Sequence, residues 1–139
     1  MADPNETRAF RYAETLTLGI YRVTDHWPRG LGGDLATQLR LITPAISDSL
    51  LDGCSWRGPA ARSAWRTALR LLERLADGVD RADRLGLLDP EATLELLEAQ
   101  SGASIEVLAL LEAVAEDLPG RTSASPWRTK IEGELPRAA

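Results

Sequence analysis

The chain has 139 residues, a formal net charge of −5, and 44% hydrophobic against 27% charged residues, a composition typical of one soluble globular domain. Its single cysteine, Cys54, excludes an internal disulfide framework. The first residues do not resemble a secretory signal peptide, and no apolar run approaches the roughly 20 residues of a membrane span. We therefore expect a cytoplasmic protein that does not enter a membrane.

The first half of the chain predicts two amphipathic helices. In the first, over about residues 7–26, apolar residues recur every three or four positions, and Pro28 with the glycines that follow it predicts a reversal. The second spans about residues 31–52, with a bend at Pro44 and an end at Gly53. Alanine, leucine, arginine and glutamate dominate the composition and favour helix, and no stretch alternates apolar and polar residues as a strand would.

The second half of the chain predicts two further helices. The third spans about residues 59–85. The fourth, about residues 90–118, is expected to begin with Asp89 as its N-cap and Pro90 as its first residue. Four helices with short connections predict an all-α fold, an antiparallel up-down-up-down four-helix bundle over residues 1–118.

The end of the chain differs in composition from the predicted bundle. Residues 119–139 lack hydrophobic periodicity, and we expect them to form a mobile tail. Within this tail, Trp127, Arg128 and Lys130 are a candidate anchor. Such a segment would become ordered when it docks on a partner, where a tryptophan can fill a pocket.

Six arginines gather on the third predicted helix, although the chain as a whole is acidic. At about 100° per residue they fall within an arc of about 120°, so they share one face. They are Arg62, Arg66, Arg70, Arg74, Arg81 and Arg84, which we call the arginine face. Toward its end, Asp77–Arg81 and Asp80–Arg84 have the acid-first spacing of four that favours ion pairs. Toward its start, like charges follow one another at that spacing, which is unfavourable.

Two interpretations of the arginine face are open. One is a solvated helix surface, which is common because single helices tolerate exposed charge runs. The other is a surface that binds a nucleic-acid backbone or an acidic partner. The unfavourable spacing from Arg62 to Arg74 favours binding, since locally costly choices often mark functional surface.

The fourth predicted helix is the electrostatic opposite of the third. Residues 89–118 contain eight acidic residues and no lysine or arginine, and about 240° of the helix is apolar or small. That arc carries two stripes: Leu94, Leu97, Ile105, Leu108 and Leu111 form one, and Leu96, Ala99, Ala103, Val107, Leu110 and Val114 form the other. Either the helix is sunk deeply into its own bundle, or one stripe mediates self-association, which we favour. The small residues 101–104 would let a neighbouring helix approach closely.

Constellations for catalysis and metal binding are missing from the sequence. With one histidine, His26, neither a catalytic triad nor a multi-histidine metal site can be built, and Cys54 has no second cysteine for zinc. The Glu-x-x-His pairs of di-iron bundles do not occur, and GLGG at residues 30–33 lacks the spacing of a phosphate-binding loop. We therefore predict a protein that is not an enzyme, with no catalytic residue, no metal and no cofactor.

Two segments of the chain resemble a known family of small bacterial four-helix-bundle proteins. Residues 10–53, FRYAETLTLGIYRVTDHWPRGLGGDLATQLRLITPAISDSLLDG, are similar to its first two helices, with an aromatic-Pro-Arg turn followed by a Leu-x-x-x-Leu helix. The family includes proteins encoded in intervening sequences of large-subunit ribosomal RNA genes and the accessory variability determinant of diversity-generating retroelements. Residues 72–114, LERLADGVDRADRLGLLDPEATLELLEAQSGASIEVLALLEAV, look more like the accessory determinant, in which a leucine-rich turn joins the third and fourth helices.

For this chain the resemblance implies a homopentamer of four-helix bundles. It also implies a non-catalytic accessory subunit that binds a reverse transcriptase and its template RNA, or the cDNA, and supports mutagenic cDNA synthesis. Family members are typically basic, whereas this chain has a pI near 4.9, so nucleic acid would have to bind a local surface such as the arginine face. The alternative is an oligomeric protein-binding scaffold of the ribosomal-RNA intervening-sequence type with no nucleic-acid role.

Overall fold

The structure is a computed structural model that describes residues 3–116 as four α-helices, with no strand in that range. The helices are α1 (Pro4–Thr24), α2 (Arg29–Ser55), α3 (Gly58–Arg84) and α4 (Pro90–Glu116). The prediction of an all-α fold is confirmed over this range. The predicted tail, with its candidate anchor at Trp127, Arg128 and Lys130, lies outside the described residues.

Each helix packs on the next helix in the chain, and α4 also packs on α1, so that the four form a closed ring. Residues that meet across α1 and α4 include Asn5 with Glu106, Tyr12 with Gly102, and Gly19 with Leu96. The connections 25–28, 56–57 and 85–89 are short. This arrangement is consistent with a four-helix bundle. Within residues 3–116, no helix combines the length and apolar character that crossing a lipid bilayer requires.

Acidic side chains cap the starts of α1 and α4. Asp3 Oδ1 accepts a hydrogen bond from the N–H of Asn5 at 2.7 Å, and Asp89 Oδ1 accepts one from the N–H of Ala92 at 2.7 Å. The prediction that Asp89 caps the fourth helix is confirmed. The cap at Asp3 lets α1 begin at Pro4, earlier than the predicted start near residue 7.

The core is one apolar cluster to which all four helices contribute. Its largest fully buried apolar side chains are Leu16 and Ile20 of α1, Leu39, Ile46 and Leu50 of α2, Trp65, Leu72, Leu75 and Val79 of α3, and Val107 of α4. Within each helix they are spaced by about three or four residues or a multiple of that period, so one face of the helix turns inward. The residues on the opposite side of each helix, which include most of the charged residues, lie on the outer surface of the bundle.

The sequence predicts that Gly53 ends the second helix, and this prediction is wrong. The helix continues to Ser55, and Gly53 is buried in its last turn. A Cβ at this position would lie only 2.5 Å from ring atoms of Trp65, which is itself 2% exposed. Glycine is needed here because the indole of α3 packs directly on the backbone of α2.

We expect Gly53→Ala to lower the free energy of unfolding by about 1–3 kcal/mol, because the added methyl group forces the Trp65 ring out of its position in a filled core. Gly33→Ala is the matched control, since Gly33 lies in the same helix with nothing within 4 Å of the added Cβ. That change should leave stability unchanged or raise it by up to about 1 kcal/mol through helix propensity. Urea denaturation measures both, and equal effects of the two changes would contradict the packing argument.

Candidate interaction surfaces

The six residues of the arginine face lie on the side of α3 that is turned away from the core. Arg62 is half-buried, whereas Arg66, Arg70, Arg74, Arg81 and Arg84 are exposed. The opposite side of α3 is buried and carries Trp65, Ala68, Leu72, Leu75 and Val79. The structure therefore brings the six arginines together along one helix, with their guanidinium groups available to solvent or to a partner.

Ion pairing on the arginine face is sparse. Among residues 3–116, Arg84 is its one member with a carboxylate oxygen within 4.0 Å, Asp80 Oδ2 at 3.1 Å from Nη2. The second predicted pair, Asp77 with Arg81, does not form at that distance. Both of these side chains are exposed, so a contact between them gains little in water and costs side-chain entropy. The four arginines from Arg62 to Arg74 thus have no carboxylate partner in the described part of the chain.

The start of the arginine face borders a shallow hollow of about 340 Å³. Its lining consists of Pro59, Arg62, Ser63, Arg66 and Arg70. Three guanidinium groups and a hydroxyl surround it, and no acidic side chain does. Arginine presents a planar fork of donors that matches phosphate and carboxylate groups, so the chemistry of this hollow suits an oxyanion.

The structure distinguishes the two apolar stripes of α4. Leu96, Ala99, Ala103, Val107 and Leu110 are buried and form its side of the core. In the other stripe Leu94, Ile105 and Leu108 are 58%, 62% and 46% exposed, while Leu97 and Leu111 are partly buried. The interpretation of α4 as a helix sunk deeply into its own bundle is therefore wrong, because these three side chains are exposed. We call Leu94, Ile105 and Leu108 the α4 outer stripe.

Gly102 of α4 lies against a helix of the same chain. A Cβ at Gly102 would lie 2.5 Å from Cζ of Tyr12, because the phenol ring of α1 packs on this glycine. A neighbouring helix does approach closely at residues 101–104, as predicted, and at Gly102 that helix is α1 of the same chain. The space at Gly102 is filled from within the bundle, whereas Ser101 is exposed on the same face as the α4 outer stripe.

One acidic residue of α4 has a structural partner in α1. Glu106, whose side chain is 13% exposed, pairs through Oε1 with Arg8 Nε at 3.0 Å and accepts a hydrogen bond from Asn5 Nδ2 at 2.8 Å. The acidic residues Asp89, Glu91, Glu95, Glu98 and Glu112 are exposed. Their charge therefore stays on the surface of α4, opposite in sign to the arginine face of α3.

His26 and Cys54 are the only histidine and the only cysteine in the sequence. Within residues 3–116, no group of three or more His, Cys, Asp and Glu side chains is placed to hold a metal ion. His26 is exposed at the end of the bundle. Partial burial of the thiol and the negative charges of Glu6 and Asp3 together raise the pKa of Cys54 to about 12. Cys54 is therefore a protonated thiol at neutral pH, although the residue is exposed.

Comparison with known proteins yields no match, whether to protein-family models, to curated proteins or to solved structures.

We expect the Cys54 thiol to react slowly for an exposed cysteine. Because the thiolate is the nucleophile and its pKa is raised, alkylation by iodoacetamide at about pH 8 should be at least about tenfold slower in the folded protein than in the denatured chain. The rate in the folded protein should keep rising with pH beyond the usual titration range of a thiol. Glu6→Gln should speed the reaction, since it removes the negative charge that raises the thiol pKa most. Equal rates in the folded and denatured chain would contradict this account.

Proposed function

We propose that this protein is a non-catalytic, cytoplasmic accessory subunit of a diversity-generating retroelement, which binds the reverse transcriptase and its template RNA. The observation that supports this most directly is the run from Arg62 to Arg74, four arginines on one face without a carboxylate partner in residues 3–116. The resemblance of residues 10–53 and 72–114 to the accessory determinants supplies the biological setting.

The dimensions and chemistry of this run suit a nucleic-acid backbone. Arg62 and Arg74 are twelve residues apart, which at 1.5 Å per residue is about 18 Å along the helix axis. A strand of nucleic acid presents several phosphates over that length. The hollow between Arg62, Arg66 and Arg70 would receive one phosphate, and the exposed Arg74 would contact a later one.

The negative net charge of the chain limits this binding to one surface. A net charge of −5 repels nucleic acid at long range, so affinity has to come from phosphate contacts at the arginine face. Each phosphate that an arginine neutralises releases counterions, which makes such binding strongly dependent on salt. Several copies of a weak surface in one assembly would add to the affinity, because linked contacts gain from effective concentration.

We further propose that the four helices form an antiparallel up-down-up-down bundle and that the bundles assemble as a homopentamer. The contacts across α1 and α4 support the first part, since they join Asn5 to Glu106 and Gly19 to Leu96, so that numbers rise in one helix while they fall in the other. The α4 outer stripe supports self-association, because an exposed apolar row on a helix is covered most favourably by another apolar surface. The number five comes from the family resemblance.

The α4 outer stripe also favours a second candidate function, an oligomeric protein-binding scaffold without a nucleic-acid role. In that case the arginine face would pair with acidic surfaces of partner proteins or of other subunits, such as the exposed carboxylates of α4. Both candidates predict an oligomer, so binding to RNA is the property that separates them.

Replacing Arg62, Arg66, Arg70 and Arg74 with Gln tests the RNA-binding role. We expect binding of a fluorescently labelled single-stranded RNA, measured by anisotropy, to weaken by at least about tenfold. The slope of log affinity against log salt should also become shallower, since fewer phosphates are neutralised. Glutamine keeps helix propensity, so the circular dichroism spectrum should match that of the parent.

The matched control replaces Arg11, Arg22, Arg29 and Arg57 with Gln. These arginines are exposed and lie off the arginine face, and the control lowers the net charge by the same four units. It should retain RNA affinity close to that of the parent. If both quadruple variants bind RNA equally, the arginine face is a solvated surface. If the parent binds no RNA, the scaffold function is the better account.

Replacing Leu94, Ile105 and Leu108 with Gln tests self-association. We expect the parent to show a mass several times 15.1 kDa by light scattering and this variant to shift toward the monomer, because the apolar contact between subunits is lost. The matched control replaces Leu18, Leu41 and Leu51 with Gln. These leucines lie on α1 and α2 and are 56%, 67% and 54% exposed. The control should remain oligomeric, and a monomeric parent would contradict self-association altogether.

A further inference from the structure

A cavity of about 600 Å³ lies at the end of the bundle where α1 ends and α4 begins. Its walls come from four places: the last turns of α1, the connection 25–28 with the start of α2, the connection 85–89, and the first two turns of α4. A volume of this size is within the range of sites that hold a small molecule. It lies apart from the α4 outer stripe, and no residue of the arginine face lines it.

The inner part of the cavity is apolar. Leu88 and Leu96 are 8% and 5% exposed, and Val23, Trp27 and Leu87 are partly buried against the core. Trp27 lines this cavity, and its indole N–H is buried with no hydrogen-bond partner among residues 3–116. A buried donor without an acceptor is unfavourable, so a ligand that supplies an acceptor would be favoured over an apolar one.

The rim of the cavity carries charges of both signs on facing helices. Arg22 lies on α1, and Glu95 lies on α4. Both are exposed, and within the described chain neither has an opposite charge within 4.0 Å. Asp89 also borders the cavity and keeps its negative charge, although its Oδ1 accepts the capping hydrogen bond from the N–H of Ala92. The exposed imidazole of His26 lines the rim as well. The rim thus offers the guanidinium of Arg22 and the carboxylates of Glu95 and Asp89 above an apolar floor.

We propose that this cavity is a binding site for a free α-amino acid with an apolar or aromatic side chain. The carboxylate of the amino acid pairs with Arg22 and accepts the hydrogen bond of the Trp27 indole, the ammonium group pairs with Glu95, and the side chain packs on Leu87 and Leu96. A simple anion would be repelled by Glu95 and Asp89, and a simple cation would leave Arg22 and the Trp27 N–H without an acceptor. An uncharged apolar molecule would leave the Trp27 N–H without an acceptor. The site goes beyond the proposed function, since it uses neither the arginine face nor the α4 outer stripe.

The test is an NMR titration of the ¹⁵N-labelled full-length chain with phenylalanine. The Trp27 indole N–H signal, assigned by its loss in Trp27→Phe, should shift and saturate with a dissociation constant on the order of 1 mM. Phenylalaninamide lacks the carboxylate, and N-acetylphenylalanine lacks the ammonium group. Each should bind at least about tenfold more weakly than phenylalanine if both ends of the zwitterion are recognised.

Single substitutions assign the contacts. Arg22→Gln and Glu95→Gln should each weaken phenylalanine binding by about tenfold, and Ala92→Leu should abolish it by filling the cavity. The matched controls Arg11→Gln and Glu98→Gln change exposed residues of the same helices that do not line the cavity, and they should bind as the parent does. Because Arg22 and Glu95 are exposed, these variants should fold even if Ala92→Leu does not.

Three results would overturn the proposal. The first is the absence of a saturable shift of the Trp27 indole signal. The second is equal binding of phenylalanine and its two blocked derivatives. The third is equal weakening by the rim variants and by their controls.

Discussion

The contact between the Trp65 ring and the backbone of α2 at Gly53 sets the geometry on which the outer surfaces depend. The Trp65 indole contacts the backbone of α2 directly at Gly53, and this contact restricts both the distance between α2 and α3 and the rotation of α3 about its own axis. With Trp65 turned inward, Arg66 and Arg70 must point outward, since they lie one and five residues further along the same helix. The position of the arginine face is therefore a consequence of core packing, and it needs no interaction among the arginines themselves.

Apolar burial, rather than ion pairing, holds the described part of the protein together. In residues 3–116 only three ion pairs lie within 4.0 Å, and of these the pair between Arg8 and Glu106 has a mostly buried carboxylate. Exposed pairs contribute little to stability. As a result most charged side chains on α3 and α4 can interact with a partner without breaking a contact that the fold requires.

The sequence was sufficient to predict the helices and the faces that they bury. It was not sufficient to predict which side chains pack against the small residues. Hydrophobic periodicity located α1 to α4, and the Asp89–Pro90 pair marked the start of α4, because both signals are local. The sequence predicts a helix stop at Gly53 and a close helix approach near Gly102, but it does not show which side chain packs on either glycine. Both glycines make room for an aromatic ring from another helix, Trp65 or Tyr12, and no local pattern reveals such a contact. The two stripes of α4 were likewise equivalent in the sequence, and only packing showed that Leu96 and Val107 face inward.

The end cavity and its rim were also beyond the reach of the sequence. Arg22, Trp27 and Glu95 come from three different parts of the chain, and their spacing matches no local motif. Each is an ordinary residue for its position, an arginine in a last turn, a tryptophan in a connection and a glutamate on an acidic helix. These residues line one cavity only because α1 packs against α4, and the sequence does not reveal that tertiary contact.

The closure of the helix ring between α1 and α4 affects how the molecule would open. Three of the four helix–helix interfaces are formed by helices that follow each other in the chain and are joined by short connections. The interface between α1 and α4 instead brings together helices that are separated in the chain by α2 and α3. The loop-closure entropy of the fold is therefore concentrated there. Glu106 forms an ion pair with Arg8 and accepts a hydrogen bond from Asn5, and these polar contacts stabilise one end of the interface between α1 and α4. If α1 swung away there, the inner stripe of α4 would join its outer stripe as one continuous apolar surface, and the α1 of a second copy could take the vacated place, which is the geometry of a domain swap.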